Sequence, residues 1–186
     1  MLAEGARMIC GLENRCEYWS QYYKAKFQGS FVDPKDLICD ICSGARVLEI
    51  GPGEGRQFDI ASKTAREYSI ADISQTVLQQ DRYSSCRHRF LLQNYQLPEP
   101  VRFEVVHAWY VVHHVLNSEL DEFMEFVYTC LEPGGNWMFN YNRGGDFPTI
   151  PHSDVQIVSS LENRFDIKEL HNTAPHSVVV VAWRRP

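Results

Sequence analysis

The chain has 186 residues, 44% hydrophobic and 23% charged, which is too short for two ordinary domains and too apolar for a disordered chain. Its net charge of −6, with Lys and Arg scattered, disfavours nucleic acid as a partner, because binding many phosphates concentrates cations. No apolar run approaches the roughly 18 residues of a membrane helix, and Met1 to Arg15 lacks the continuous apolar stretch of a secretory signal. These features read as a cytoplasmic protein with no membrane partner.

The first elements are helical. Tyr18, Trp19, Tyr22, Tyr23 and Phe27 recur at a spacing that gives a helix one apolar edge. Asp33-Pro34 reads as a cap followed by proline at the first helical position, and the helix runs through Leu37, Ile38 and Ile41 to stop near Gly44. Residues 1–43 form an N-terminal helical segment on this reading, and 44–186 an alternating domain. Cys39 and Cys42 make a CxxC within the helix, without a second pair at zinc-binding distance. Burial as small apolar residues is preferred over metal or redox use. The count of six cysteines does not require disulfides in a chain with a large core.

From Arg46 the pattern alternates. Strands are predicted at Arg46 to Ile50, Tyr68 to Ala71, Phe90 to Leu92, Phe103 to Ala108 and Trp137 to Tyr141. Helices are predicted through Phe58 to Ala61, from Ser74 to about Asp81, from a Ser118 cap through Leu131, and from Val155 to Leu161. Pro133-Gly134-Gly135 marks a break. Two last strands, Phe165 to Leu170 and Val178 to Trp183, are separated by a short loop and should pair antiparallel. The continuous apolar run of the second suits burial on both faces. The expectation is an α/β fold: a Rossmann-like, seven-stranded, mostly parallel sheet with helices on both faces and an antiparallel strand pair at one edge.

Parallel α/β sheets bind ligands at the carboxyl ends of their strands. There the first strand runs into Glu49-Ile50-Gly51-Pro52-Gly53-Glu54-Gly55. The glycines permit positive φ and close approach of a ligand to the backbone. A dinucleotide site would want GxGxxG, but Arg56 stands where the third glycine belongs and the spacing is GxGxG. Acids at 49 and 54 also suit a ligand bearing an ammonium group better than a pyrophosphate. Asp72, at the end of the second strand, is a turn or cap residue if taken alone; beside the glycine turn it is a carboxylate able to accept both hydroxyls of a ribose.

These segments resemble the class I S-adenosylmethionine-dependent methyltransferases over roughly Gly44 to Trp183. Val47 to Gly55 resembles the first motif of that family, and Ile70-Ala71-Asp72-Ile73-Ser74 its ribose-binding segment. Gln93-Asn94-Tyr95-Gln96-Leu97-Pro98 resembles the segment beside the adenine. Phe103 to Val106, continuing through Ala108-Trp109-Tyr110 to His113-His114-Val115, resembles the fourth strand and its exit. Leu131 to Gly135 resembles the turn into the fifth strand.

The resemblance implies S-adenosylmethionine as cofactor, S-adenosylhomocysteine as product and no metal. It implies that Glu49 and the backbone of Gly51, Gly53 and Gly55 hold the methionine end. Asp72 takes the ribose, Ile73 packs on the adenine, and Gln93 or Asn94 meets the adenine amino group. Ala108 and Trp109 face the methionine moiety. The aromatic N-terminal segment, Tyr22 included, is either a lid over the cofactor or a helix packed on the core. Where the adenine contact falls, the family often has Asp and this chain has the amides Gln93 and Asn94. Two further departures stand out: Glu104 replaces the usual Asp, and the helix that often precedes the fourth strand is missing or reduced to a turn.

The reaction implied is methyl transfer to an O or N atom of a small-molecule or sugar-like acceptor. The alternative is a methyltransferase-like subunit that binds a cofactor or partner without catalysis. His113 and His114 are candidates for a general base, with packing or helix capping as the competing reading, whereas His107 reads as a core histidine. Tyr141, Asn142 and Arg143 line an acceptor pocket or a solvated loop. With only about ten residues from Asn142 to Pro151 before the next helix, the pocket is expected to be open or closed only by the N-terminal segment, and the acceptor to be bulky or completed by a partner subunit.

Overall fold

The structure is a computed structural model that describes residues 34–144, 150–174 and 177–186. In chain order the elements are α1 (Lys35–Cys42), β1 (Arg46–Ile50), α2 (Phe58–Ala61), β2 (Glu67–Asp72), α3 (Gln75–Leu78), a 3-10 turn (Asp81–Ser85) and β3 (Arg89–Leu91). Then come β4 (Phe103–Ala108), a second 3-10 turn (Val112–His114), α4 (Leu120–Cys130), β5 (Leu131–Asn142), α5 (Asp154–Leu161), β6 (Phe165–Ala174) and β7 (Ser177–Arg184).

Among the described residues the seven strands form one sheet in the order β3-β2-β1-β4-β5-β7-β6. β3, β2, β1, β4 and β5 run parallel, and β7 inserts antiparallel between β5 and β6. The chain reverses direction across the sheet at β1, with β2 on one side and β4 on the other. Crevices of this kind hold ligands because loops diverge there.

Nearly every residue of β1, β2 and β4 is buried, as expected of strands covered on both faces. Leu48, Ile50, Ala71, Val106 and Ala108 point to a core sealed by α4 and α5. Val47, Tyr68, Ile70 and Val105 point to a second core with Ile38 and Cys42 of α1 and Phe58 of α2. Cys42 is thus fully buried in apolar surroundings, which push its thiol up to about 12.

Several sequence expectations shift. Pro34 occupies the cap position of α1 rather than its first turn, and Asp33 lies outside the described residues. The predicted helix from Ser74 to Asp81 breaks after one turn, because Gln80 turns extended and the chain re-enters as a 3-10 turn. Glu119, not Ser118, precedes α4, with no side-chain cap. Pro133-Gly134-Gly135 lies inside β5 as a bulge: β4 pairs Phe103 with Leu131 and resumes at Val105 with Asn136. Trp183 is 46% exposed rather than buried, its ring covered by the Lys168 ammonium at 4.8 Å. Between β3 and β4 there is only a turn, as one of the two departures anticipated.

Candidate functional site

β1, β2 and β4 end at the same level. The Gly51 N–H donates to the Ala71 carbonyl at 2.8 Å, so the glycine turn leaves β1 pressed against the end of β2. Gly51 has φ +67°, and a Cβ there would lie 2.5 Å from Cγ2 of Val111 on the loop leaving β4. Only glycine satisfies both constraints. The turn is also held from below. The Tyr83 hydroxyl and the Gln80 amide donate to the Gly53 carbonyl at 2.9 and 3.2 Å. At Gly55, φ +76°, a Cβ would lie 2.6 Å from Nη1 of Arg82 and 3.1 Å from the Tyr83 hydroxyl.

Glu49 and Asp72 flank this turn, 1% and 4% exposed. Burial raises the Glu49 carboxyl to about 8; the Tyr68 hydroxyl, donating at 2.9 Å, opposes the shift, and Asp72 and Asp59 add to it. Burial raises Asp72 to about 7, against the backbone N–H groups of Ser74 and Ile73. Asp72 Oδ1 accepts from Ser74 N at 2.7 Å, an Asx turn that aims the carboxylate from the strand end. The turn and ligand readings of Asp72 therefore coexist. Among the described residues no ion pair reaches either acid. Two buried carboxylates without a protein cation fit a ligand that brings an ammonium group and a diol.

The other predicted residues fall around this pair. Ile73 is partly buried against the first core. Gln93 and Asn94 are exposed in a tight turn in which Asn94 and Tyr95 both have positive φ, at 50° and 48°. That strained turn is anchored by Tyr95, which donates to Glu119 at 3.0 Å and packs edge-on against Phe123. Ala108 is fully buried. Trp109 is 4% exposed within the second core, and its indole N–H has no partner among the described residues. Tyr22 and its aromatic neighbours lie outside the described residues.

His113 and His114 form the 3-10 turn after β4, with rings 4.2 Å apart. His113 is buried, and burial, His114 and His152 hold it well below the ordinary imidazole range. His114 is half-buried. Tyr141 and Arg143 are not free to line a pocket: both donate to Asp154 Oδ1 at 2.6 Å, and Arg143 also reaches Asn172 at 2.8 Å. Glu104 sits at the opposite end of the strands, accepting from the Arg46 backbone and the Arg66 guanidinium.

Four participants escaped the sequence reading. Tyr68 reads as a strand aromatic, and Tyr83 falls past the end of the helix predicted from Ser74 to about Asp81. Val111, which crowds Gly51, reads as a loop residue. Asn140 accepts from the Tyr110 N–H at 2.6 Å and pins a non-glycine residue at φ 59° beside the crevice. Only Tyr110 carried a signal, through its place in the exit segment of β4.

The buried acids set an expected pH dependence. Folding raises both acids above their ordinary range, so stability is lost progressively as pH rises toward about 8. His107, His113 and His152 are lowered by burial, so their contribution is lost as pH falls below the unfolded histidine value of about 6.5. The unliganded protein should be most stable near the crossover. By urea denaturation it should lose on the order of 2 kcal/mol between pH 6.5 and 8.5. A flat profile across that window would show that Glu49 is not a buried acid.

The description "Methyltransferase domain" attaches to the family that matches residues 25–170, and the chain belongs to that family. Among solved structures it is similar to magnesium protoporphyrin IX methyltransferase (ChlM) from Synechocystis PCC 6803 with bound SAM. Identity there is 12%, TM-score 0.73, with 93% of this chain and 96% of that chain covered. It is also similar to 1,6-didemethyltoxoflavin-N1-methyltransferase from Burkholderia thailandensis, at 15% identity, TM-score 0.74, and 100% and 91% coverage. A third similar structure is the (4+2)-cyclase SpnF, at 17% identity, TM-score 0.67, and 81% and 79% coverage. These likenesses establish the Rossmann-like fold. No curated protein matches the sequence.

Proposed function

We propose that the protein transfers a methyl group from S-adenosylmethionine to an O or N atom of a small-molecule or sugar-like acceptor, in a cytoplasmic setting. The observation that carries this reading is the pair of buried carboxyl groups, Glu49 and Asp72, on either side of the glycine turn, which no ion pair reaches among the described residues. When bound, the cofactor supplies an electrophilic methyl on a sulfonium.

The chain binds, orients and excludes water. Glu49 takes the amino group and Asp72 the ribose hydroxyls. Gln93 or Asn94 meets the adenine edge, and Ile73 packs against its face. The glycine turn lets the backbone approach the methionine end, and the loop from Ala108 to Val111 forms the opposite wall. Positioning of this kind lowers a displacement barrier by up to about 7–11 kcal/mol, so a strong base is not required. Where the acceptor must lose a proton, His114 is the better placed of the two histidines, since His113 is buried and held neutral. The aromatic group of the N-terminal segment 1–43, Tyr22 included, is proposed as a lid over the site.

The second reading is a methyltransferase-like subunit that binds the cofactor or a partner without transferring methyl groups. It draws support from the similar cyclase, named for a different reaction on the same fold. Calorimetry with S-adenosylhomocysteine, followed by transfer of label from methyl-labelled cofactor to metabolite fractions, separates the two. Binding with transfer is the expected result. Binding without transfer across O- and N-nucleophile fractions favours the subunit, and no binding overturns both.

A further inference from the structure

The second core contains a polar chain beside the first strand's acid. The Tyr68 hydroxyl donates to Glu49 Oε2 at 2.9 Å and lies 2.8 Å from His107 Nε2. All three residues are buried. The sheet dictates their meeting: Glu49 and His107 are register partners across β1 and β4, while Tyr68 pairs with Val47, two residues before Glu49 and on the same face.

A phenol has one proton to give, so the chain has two possible polarities. In the first, His107 Nε2–H donates to the Tyr68 oxygen, and Tyr68 donates to Glu49 Oε2, a bond that strengthens when Glu49 ionises. In the second, a protonated Glu49 donates to Tyr68, and Tyr68 donates to a bare Nε2. The second polarity puts the imidazole proton on Nδ1, which is buried without a partner among the described residues. A buried N–H left without an acceptor is less common than an unused lone pair. The first polarity is therefore favoured, with every donor pointing toward Glu49.

We propose, resting on the cofactor reading above, that Tyr68 and His107 are positioning residues that orient Glu49 and favour its ionised form, against the burial that opposes it, for the amino group of the ligand. The other titratable groups around Glu49 work against ionisation or are neutral. Asp59 and Asp72 repel its charge, and Cys42 and Cys86 are thiols whose ionisation Glu49 itself suppresses. No Lys or Arg pairs with it among the described residues. The Tyr68–His107 chain is what favours the charged form before a ligand arrives.

Tyr68→Phe removes the hydroxyl and keeps the ring against Phe58, 5.4 Å away. Calorimetry would compare S-adenosylhomocysteine with 5′-methylthioadenosine, which shares the adenosine and thioether but lacks the amino-acid end. The variant should bind the first about tenfold more weakly and the second unchanged. His107→Leu should show a smaller loss with the same selectivity. In the unliganded protein, a carbon-13 NMR titration of the Glu49 carboxyl, assigned with Glu49→Gln, should move up by about one pH unit in Tyr68→Phe.

Equal weakening of both ligands, no weakening of either, or an unmoved Glu49 titration would overturn the proposal. Should wild type bind neither ligand while the Glu49 titration still shifts, the cofactor reading fails and the chain stands. If Tyr68→Phe does not fold, His107→Leu supplies the same readouts.

Discussion

Asp72→Asn is expected to weaken S-adenosylhomocysteine binding about a hundredfold without loss of fold. A hydrogen bond to a charged group contributes about 1.5–3 kcal/mol, and a ribose diol offers two hydroxyls to one carboxylate. Asparagine keeps an oxygen for the Ser74 N–H at 2.7 Å, so the Asx turn survives. Its other terminal atom is a donor and cannot accept a ribose hydroxyl. Asp72 is a buried acid raised to about 7, so removing its charge should leave the melting temperature of the unliganded protein equal or higher above neutral pH. Calorimetry and thermal denaturation of the same samples test both halves. Unchanged affinity would remove Asp72 from the ribose.

Gly51→Ala should destabilise the protein by about 2–5 kcal/mol and abolish cofactor binding. A left-handed backbone costs a residue with a Cβ about 1–2 kcal/mol, and forcing a methyl into packed space costs about 1–3 more. Both apply, because φ is +67° and the new Cβ would stand 2.5 Å from Val111 Cγ2. The two costs separate in a double mutant. Val111→Ala clears the contact but not the dihedral, so Gly51→Ala/Val111→Ala should recover the packing part and retain about 1–2 kcal/mol of loss. Urea denaturation of the four proteins measures the cycle. A Gly51→Ala protein as stable as wild type would mean that the turn is free to relax.

How much of this was legible in the sequence depended on how local each signal was. β1, β2 and β4 are runs of apolar residues ended by Gly51, Asp72 and the Ala108 exit, and their positions follow from that pattern alone. The antiparallel pairing of β6 with β7 follows from the short loop between them. The helix expected from Ser74 to Asp81 has adequate periodicity, yet tertiary contacts break it: Gln80 and Tyr83 turn to hold the Gly53 carbonyl. Tyr95 at positive φ runs against its propensity and is stabilised by Glu119 and Phe123 from a distant helix. Glu49 was legible as an acid at the end of β1; its contacts with Tyr68 and His107 were not, because neighbouring strands supply both. Residues that bind through the backbone of one turn show in a sequence, and those that act across a sheet do not.

The two borders of the sheet differ from its centre in a way that governs association. At one border β3 has three residues; at the other β6 carries Asp166, Lys168, Glu169 and His171, with register shifts after Ile167 and Asn172. A short strand offers few free amides to a visiting chain, and an irregular, charged one offers them out of step. Growth of the sheet by strand addition is blunted at both borders, so any self-association of this protein has to use its helical faces or its loops.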